Sequence, residues 1–283
     1  MLRADFVEIV GRALSEDLGS LGDITSDACV PQSAQSSGVF VARAAGVIAG
    51  IDVAGYVFEA LDPSVVFSPL VRDGERVEPG DHIARVSGHS RTILGGERTA
   101  LNLLGRMSGV ASVTADLVEA VSGTGARISD TRKTMPGLRA IDKYAVRVGG
   151  GMNHRFGLFD AVLIKDNHLA AVGSIADAVA AARAAVSPGV MVEVEVESLD
   201  QLAEVLETDA DRVLLDNMGL ELLREAVEMI GGRLTTEVSG GVTLENVRLI
   251  AETGVDIISV GWLTHSAPQL DIALDFTLST GRA

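Results

Sequence analysis

The chain contains a single cysteine, Cys29, among its 283 residues. One cysteine cannot form an intramolecular disulfide, and no spacing of Cys and His residues resembles a structural zinc site. No uncharged apolar run approaches the roughly 18 to 20 residues that a membrane-spanning helix needs. The first eight residues include acidic side chains where a secretory signal peptide has a basic patch. These absences predict a protein of a reducing, cytoplasmic compartment.

Basic residues are also in short supply, and lysine is the rarest of them. The formal net charge is −16, which would repel nucleic acid and anionic lipid from most of the surface. Between residues 98 and 165, however, ten basic residues stand against five acidic ones, and this segment holds all three lysines, Lys133, Lys143 and Lys165. An acidic protein with one basic segment is expected to bind a small anion at a focused site.

Two sequence patterns follow one another along the chain. From residue 37 to 88, short β-like runs alternate with turn sequences, which predicts a small α/β sandwich preceded by a helix. This half has a rhythm similar to biotinyl and lipoyl carriers, but it has no lysine to bear the prosthetic group, so a carrier function is excluded. Two helices, residues 97–107 and 110–121, are predicted between the halves. We therefore expect domains at 1–107 and 108–283, with roughly the last 10 to 15 residues packing back on the first domain.

After these helices, short apolar strands recur, and each is followed by a polar residue and a helical stretch. The predicted strands are residues 126–128, 161–164, 190–196, 212–215, 234–238 and 256–260. Their polar ends are Lys133, Lys165, Glu195, Asp216, Ser239 and Gly261. Successive ends are 32, 30, 21, 23 and 22 residues apart. This cadence predicts parallel βα units that form a barrel, with the active site at the C-terminal ends of the strands.

Basic side chains cluster near the first two strand ends. Arg132 and Lys133 are adjacent, and their desolvation would be costly unless an anion compensated it. The loop 149–155 places three glycines ahead of His154 and Arg155, which suits a close approach of the backbone to a flat anionic ligand. Solvated cations and a merely flexible loop are the alternatives. Lys165 should lie at the barrel mouth, where a lysine can bind phosphate, form a Schiff base as in barrel aldolases, or extend to solvent.

Acidic residues and glycines follow the later strands. Residues 192–197 alternate Val and Glu, so the glutamates share one face. In a barrel these glutamates would point inward, where Glu195 and Asp216 could contact ribose or hold a hydrated Mg²⁺. An edge strand with its glutamates in water is the alternative. The turns at residues 239–241 and 260–266 precede residues able to start a helix and could offer amides to a phosphate. Together these ends indicate an anionic aromatic base and a sugar phosphate as substrates.

Long stretches of the sequence resemble the quinolinate phosphoribosyltransferase family, also called carboxylating nicotinate-nucleotide pyrophosphorylases. The matching stretches span nearly the whole chain and are residues 16–19, 22–25, 97–99 with 101–102, 130–134 with 136–139, 143–146, 149–155, 163–168, 193–196, 215–217, 239–241, and 253–256 continuing to 265–266. The resemblance implies an α/β fold of the type II phosphoribosyltransferase kind, with an N-terminal α/β sandwich domain and an open seven-stranded α/β barrel. It also implies a homodimer or a higher even oligomer.

The resemblance further implies a reaction and a role for each strand end. The phosphoribosyl group of phosphoribosyl pyrophosphate would pass to quinolinate with decarboxylation, giving nicotinate mononucleotide, pyrophosphate and CO₂ in de novo NAD biosynthesis. The implied catalytic residues are Lys133, Lys165, Glu195 and Asp216, the last two also facing Mg²⁺. The implied ligands of the quinolinate carboxylates are Arg98, shared across the dimer interface, with Arg132, His154 and Arg155. The implied ligands of the 5-phosphate are Ser239, Gly240, Gly261 and His265.

Three other functions stay open at this point. A relative that acts on nicotinate or another base would use the same barrel and the same phosphate site. A Schiff-base aldolase would use Lys165 as its nucleophile. An anion-binding regulator would bind phosphoribosyl pyrophosphate through the basic segment without turnover.

Overall fold

The computed structural model describes residues 3–278, which divide into two compact units. The sandwich unit comprises residues 3–115, 135–150 and 264–278, and the barrel unit comprises residues 116–134 and 151–263. Because these units are discontinuous along the chain, the contiguous division at residue 107 stays a prediction. The returning C-terminal segment is seen in part, since residues 272–278 form a strand of the sandwich unit. Residues 279–283 lie outside the described residues.

An antiparallel sheet with packed helices forms the sandwich unit. Its helices are α1 (Ala4–Leu18), α2 (Ile24–Cys29), α3 (Ile51–Leu61), most of α4 (Ser90–Ala120) and α5 (Arg139–Val148); its strands are β1 (Gln35–Ala42), β2 (Gly46–Val47), β3 (Val66–Pro69), β4 (Arg76–Val77), β5 (His82–His89) and β12 (Ile272–Leu278). The main sheet has the order β12-β1-β5-β3, and β2 pairs with β4. Phe40, Phe58 and Phe67 pack their rings together at the centre of the core, with ring centroids 5.7–6.1 Å apart.

The two helices predicted at residues 97–107 and 110–121 are one continuous helix, α4. The two residues between the predicted helices are Ser108 and Gly109, and glycine weakens a helix. Gly109 has another function here, since a Cβ atom at this position would lie 2.0 Å from the carbonyl oxygen of Pro268. The glycine therefore permits close packing of a neighbouring backbone on the helix.

Parallel strands alternate with helices in the barrel unit. The strands are β6 (Arg127–Ser129), β7 (Val162–Ile164), β8 (Val192–Val196), β9 (Arg212–Asp216), β10 (Thr235–Ser239) and β11 (Ile257–Ser259); the helices are α6 (Asp166–Val172), α7 (Ile175–Ala185), α8 (Leu199–Val205), α9 (Leu220–Ile230), α10 (Val247–Ala251) and the start of α11 (Trp262–His265). These bounds confirm the six predicted strands to within two residues.

The strand order of the barrel unit is β6-β11-β10-β9-β8-β7, so the last strand of the unit pairs with the first. A seventh strand position is occupied by a single residue, Met152, which forms a parallel bridge with Ser129. Within residues 3–278 no ladder joins Met152 to β7. The barrel is therefore open at this point, as expected, but its seventh strand is reduced to one bridge.

The core of the barrel follows from the period of its strands. Val192, Val194 and Val196 are buried on one face of β8, and Val213 and Leu215 are buried on one face of β9. Strands that are covered on both faces are rich in such residues. The intervening positions point toward the barrel interior, where the polar side chains described below lie. Within the described part of the chain, no helix is long and apolar enough to cross a membrane.

We expect Gly109→Ala to lower the thermal stability of the protein and Gly11→Ala to raise it. Both glycines lie inside helices, but the new methyl group at residue 109 would overlap the backbone of Pro268, whereas nothing lies within 4 Å of it at residue 11. Overpacking costs about 1–3 kcal/mol, and replacing an exposed helical glycine by alanine gains roughly 0.5–1 kcal/mol. Chemical denaturation of the two variants measures this, and equal effects would contradict the packing role of Gly109.

Candidate active site

A cavity of about 590 Å³ opens in the barrel unit at the C-terminal ends of its strands. Nine of the predicted site residues line it, namely Arg132, Lys133, His154, Arg155, Lys165, Glu195, Asp216, Ser239 and Gly240. Three do not: Gly261 follows β11 without lining the cavity, and Arg98 and His265 belong to the sandwich unit, where both are exposed. Of the three lysines, Lys143 is buried in α5 of the sandwich unit.

Asp130 organises the basic side of the cavity. This carboxylate is fully buried directly after β6, and it accepts hydrogen bonds from Asn153 Nδ2 at 2.5 Å and from the backbone N–H of His154 at 2.9 Å. The loop that carries His154 and Arg155 is thereby tied to the end of the strand that carries Arg132. The sequence analysis did not anticipate this link between the glycine-rich loop and the end of β6.

Arg155 and Arg132 place two guanidinium groups in the same cavity. Arg155 Nη1 donates a hydrogen bond to the carbonyl oxygen of Ala161 at 3.0 Å, while its buried Nε has no hydrogen-bond partner among the described residues. Burial, and after it the charge of Arg132, lowers the pKa of Arg155. Two neighbouring cations that are partly withdrawn from water favour an anionic ligand between them.

Lys165 and Glu195 form an ion pair across neighbouring strands. Lys165 Nζ contacts Glu195 Oε2, and the Glu195 side chain is 13% exposed against 42% for Lys165. Lys165 is thus paired with an acidic side chain in the same cavity that Arg132 and Arg155 line.

Asp216 lies beside Glu195 in the cavity lining and is fixed by neighbouring polar groups. Its Oδ1 accepts a hydrogen bond from Ser239 Oγ at 2.7 Å, and its Oδ2 accepts one from Asn217 Nδ2 at 2.7 Å. Ser239 is also the register partner of Asp216 in the β9–β10 ladder. Two carboxylates from neighbouring strands are the oxygen ligands that a hydrated Mg²⁺ prefers, so these residues fit that ion.

The turn after β10 requires glycine. Gly240 has a φ of +97°, and a Cβ atom there would lie 2.1 Å from Asn217 Oδ1. The backbone of this turn therefore stays uncovered at the cavity wall. Contrary to the expected start of a helix at this turn, α10 begins only at Val247. Any phosphate held here would contact the amides of the turn itself.

A cluster of buried charges adjoins the cavity, and Glu237 and Ser259 of this cluster line its wall. The sequence analysis missed this cluster in part. Glu193 and Glu237 are fully buried, and Glu237 Oε2 accepts a hydrogen bond from Arg212 Nη1 at 2.8 Å. Ser259 Oγ donates to Glu237 Oε1 at 2.5 Å. The inward orientation predicted for the glutamates of residues 192–197 is confirmed for Glu193 and Glu195, but Glu197 lies beyond the end of β8 and is exposed.

Two family models together match nearly the whole chain. The N-terminal domain of quinolinate phosphoribosyl transferase matches residues 23–108, and its C-terminal domain matches residues 110–275. A nicotinate-nucleotide pyrophosphorylase [carboxylating] of Mycobacterium leprae is 50% identical over 95% of this chain and 96% of its own length. The chain belongs to the quinolinate phosphoribosyltransferase family. The resemblance inferred from the motifs is thus confirmed.

Other members of the quinolinate phosphoribosyltransferase family agree with this assignment. A mitochondrial quinolinate phosphoribosyltransferase [decarboxylating] of Nicotiana glauca is 42% identical over 98% of this chain and 85% of its own length. A crystal structure of NadC from Streptococcus pyogenes, 41% identical, superposes with a TM-score of 0.94 and covers 98% of each chain. The predicted α/β fold class is therefore confirmed for this member of the family.

We expect the stability of the protein to depend on pH through Glu237. Burial, and after it the charge of Glu193, raises the pKa of Glu237 from 4.5 to about 7. A carboxyl group whose pKa is raised in the folded state makes its full contribution to stability at pH values below its ordinary pKa. That contribution is lost as the pH rises through the raised pKa. The free energy of unfolding should therefore fall between about pH 4.5 and 7, and Glu237→Gln should remove part of this fall, at most roughly 3 kcal/mol.

Urea denaturation at several pH values gives the free energy of unfolding as a function of pH. The effect appears as a difference in the slope of that plot between the variant and the unmodified protein, whatever the absolute stability of the variant. Glu225→Gln is the matched control, because Glu225 is exposed in α9 of the same unit. The control should keep the slope of the unmodified protein. Parallel stability curves for all three proteins would contradict a raised pKa at Glu237.

Proposed function

We propose that the chain transfers the phosphoribosyl group of phosphoribosyl pyrophosphate to quinolinate, with release of pyrophosphate and CO₂. The product is nicotinate mononucleotide, and the reaction serves de novo NAD biosynthesis. Membership of the quinolinate phosphoribosyltransferase family supports this reaction. The observation that carries it to this chain is one cavity that holds the neighbouring guanidinium groups of Arg132 and Arg155 together with the carboxylates of Glu195 and Asp216.

The paired guanidinium groups suit a dicarboxylate. Each can form two parallel hydrogen bonds with a carboxylate, and a ligand with two negative charges would compensate both cations at once. Nicotinate carries one carboxylate and would compensate only one of the two positive charges. This charge difference supports quinolinate over nicotinate as the base.

The first step joins the base to the sugar. The ring nitrogen of quinolinate attacks the anomeric carbon, the bond from that carbon to the pyrophosphate oxygen breaks, and pyrophosphate leaves with the electron pair. Positive charge develops on the ribose ring in the transition state. The carboxylates of Glu195 and Asp216, fixed by Lys165 and Ser239, stabilise this charge without reorganising.

The second step removes the carboxylate next to the ring nitrogen. The bond between this carboxylate and the ring breaks, CO₂ leaves, and the electron pair stays on the ring carbon beside the positively charged nitrogen. A proton from solvent then completes the pyridine ring of the product. In this step the protein holds both carboxylates through Arg132 and Arg155 and excludes water, and it needs no covalent adduct with Lys133 or Lys165.

Glu195 and Asp216 would hold Mg²⁺ directly or through water. When bound, the ion supplies positive charge that neutralises the leaving pyrophosphate.

The phosphate groups have five proposed partners, namely Lys133, Ser239, Gly240, Gly261 and His265. Among these, Lys133 is exposed at the cavity and Ser239 and Gly240 line its wall, which supports their access to a ligand.

We further propose a homodimer, or a higher even oligomer, in which Arg98 of one subunit completes the site of the other. The exposed position of Arg98 on α4 supports this role.

A cytoplasmic location is supported by the single cysteine, Cys29, which has no possible intrachain disulfide partner.

Replacing Arg132 should abolish most of the turnover of quinolinate. We expect Arg132→Ala to lower kcat/KM for quinolinate by about a thousandfold, because one carboxylate of quinolinate, buried in the cavity, would lose its bidentate partner. Arg132→Lys should recover only part of this loss, since an ammonium group cannot form the bidentate pair. The assay is pyrophosphate release with quinolinate or with nicotinate as the base.

Arg224→Ala, on the exposed face of α9, is the control and should behave as the unmodified protein. Turnover of quinolinate by Arg132→Ala at a nearly unchanged rate would refute the assignment of this site. Faster turnover of nicotinate than of quinolinate by the unmodified protein would refute the assignment of the substrate.

Mixing two inactive variants tests the shared site. Arg98→Ala and Lys165→Ala each remove one side of every site in their own homodimers. If Arg98 acts across the interface, random exchange of subunits restores one intact site in each heterodimer and should recover about a quarter of full activity. Pyrophosphate release after joint refolding measures this recovery. Activity no higher than that of the separate variants would mean that Arg98 does not act across the interface.

A further inference from the structure

Asn217 has a backbone conformation that residues with a side chain rarely adopt. Within residues 3–278 it is the one residue other than glycine with a positive φ, at +54°. It follows β9 directly, next to Asp216, and lines the cavity at the C-terminal ends of the strands. The left-handed conformation is strained for a residue with a Cβ atom, although asparagine tolerates it better than most. Strained residues persist where the surrounding structure requires them, and they are frequent at functional sites.

The backbone of Asn217 extends the sheet by one hydrogen bond. Its N–H donates to the carbonyl oxygen of Ser239 at 3.0 Å, directly after the register pair of Asp216 and Ser239 in the β9–β10 ladder. The positive φ then turns the chain away from the direction of the strand. A glycine at this position would make the same turn with less strain. The turn alone therefore does not explain why the residue is asparagine.

The side chain of Asn217 lies between two parts of the cavity wall. Its Nδ2 donates a hydrogen bond to Asp216 Oδ2 at 2.7 Å, and its Oδ1 lies 2.1 Å from the point where a Cβ atom of Gly240 would stand. An ionised carboxylate only accepts hydrogen bonds, so the amide must face Asp216 with its nitrogen. The orientation of the amide is thus fixed by Asp216 on one side and by the turn after β10 on the other.

Both oxygens of the Asp216 carboxylate are held by neutral donors. Ser239 Oγ donates to Oδ1 at 2.7 Å, and Asn217 Nδ2 donates to Oδ2. Glu195 is paired with the ammonium group of Lys165, whereas Asp216 forms no ion pair with any of the described residues. A carboxylate oriented by neutral groups keeps its negative charge for a ligand, and each of its oxygens retains a further lone pair.

We propose that Asn217 is a positioning residue, whose side-chain amide holds the Asp216 carboxylate in one orientation so that its charge faces the ribose of the bound substrate. The inference rests on the proposed phosphoribosyl transfer, in which positive charge develops on the ribose ring. Stabilisation of that charge requires a carboxylate that is oriented before the reaction begins. Ser239 restrains one oxygen and Asn217 the other, so together they prevent rotation of the carboxylate.

Glycine separates the turn from the side chain. Asn217→Gly keeps the positive φ and removes the amide, so its melting temperature should be close to that of the unmodified protein. We expect kcat to fall about tenfold. The KM values for quinolinate and phosphoribosyl pyrophosphate should stay within about twofold, because the interaction lost acts in the transition state. Pyrophosphate release measures these constants, and an unchanged kcat would overturn the proposal, since Asn217 would then serve the turn alone.

Aspartate separates positioning from direct binding. Asn217→Asp has the same shape and tolerates the left-handed conformation, but it replaces the donor by a second carboxylate beside Asp216. If Asn217 positions Asp216, this variant should be no more active than Asn217→Gly, because like charges repel one another. If Oδ1 of Asn217 bound a ribose hydroxyl directly, aspartate would keep that acceptor and would be the more active of the two. That order of activities would overturn the proposal.

A double-mutant cycle with Asp216→Ala tests whether the effect passes through Asp216. A residue that acts only through this carboxylate has nothing to position once the carboxylate is removed. Asn217→Gly should therefore lower kcat by less than about twofold in the Asp216→Ala background. An equal loss in both backgrounds would show that Asn217 acts independently of Asp216, and the proposal would fail.

Gly231→Asn is the matched control. Gly231 ends α9 with a φ of +57°, before the N-terminal end of β10 and therefore away from the cavity. A Cβ atom there would make only an ordinary contact, 3.6 Å from the carbonyl oxygen of Glu228. The variant places an asparagine in the same backbone conformation, so it should lower the melting temperature slightly and leave kcat unchanged. A comparable fall of kcat in this control would mean that activity follows backbone strain, which contradicts the proposal.

The orientation of Asp216 is measured without any activity. Crystal structures should show one orientation of this carboxylate in the unmodified protein and a rotated or divided one in Asn217→Gly. The same single orientation in both would overturn the proposal. If the unmodified protein turned over no quinolinate, the proposed function would fail while this comparison still decided whether Asn217 orients Asp216. If turnover were normal and kcat were unchanged in Asn217→Gly, only the role of Asn217 would fail.

Discussion

The basic side of the cavity depends on the buried carboxylate of Asp130. Arg132 is three residues beyond the end of β6, whereas Arg155 is on a loop that the barrel ladders hold at Met152 alone. Asp130 closes this gap by accepting hydrogen bonds from Asn153 and from the backbone of His154. Hydrogen bonds to an ionised, buried acceptor are among the stronger ones in proteins. Without them, the two arginines would have no fixed spacing, and a rigid diacid could not be matched.

The opening of the barrel at Met152 explains why the loop of Arg155 must be held by Asp130. A full seventh strand at Met152 would place its following residues in a ladder with β7, and their backbone groups would be used in the sheet. The single bridge leaves residues 153–160 free to form a loop whose N–H groups bond side chains instead, as those of Phe156 and Gly157 do with Asp160. Regular sheet structure thus ends where the chain carries Arg155 into the cavity lining.

Strand ends and the polar residues that follow them could be predicted from the sequence, because their signal is local. The apolar run at residues 161–164 is followed directly by Lys165, so the sequence itself shows where the strand ends. The alternation of Val and Glu in residues 192–197 shows which side chains share a face of the strand. The continuous helix α4 could not be predicted, because Gly109 is explained only by Pro268, which is distant in the sequence. The contact-based units could not be predicted for the same reason, since they join separated segments of the chain.

The buried cluster was missed for a different reason. Arg212 lies at the start of a strand, where a cation usually reaches solvent, and Glu237 is the single acidic residue of a short strand that also contains two threonines and a serine. Each residue considered alone has an ordinary explanation. Only the hydrogen bond of 2.8 Å from Arg212 Nη1 to Glu237 Oε2 shows that they belong to one cluster. Opposite formal charges within two neighbouring predicted strands were the available signal. Read together in parallel register, Arg212 and Glu237 would have been two positions apart on adjacent strands.

The charge state of this cluster bears on what the cavity can bind. Arg132, Lys133, Arg155 and Lys165 all line the cavity, so it offers four cationic side chains before His154 is counted. Of the nearby cations, Lys165 is paired with Glu195 and Arg212 is paired with Glu237. Neither side-chain oxygen of Glu193 has a hydrogen-bond partner among the described residues, and burial raises the pKa of this carboxyl group. Selectivity for a diacid would follow from the two guanidinium groups at the cavity, because a ligand with two negative charges compensates both of them at once.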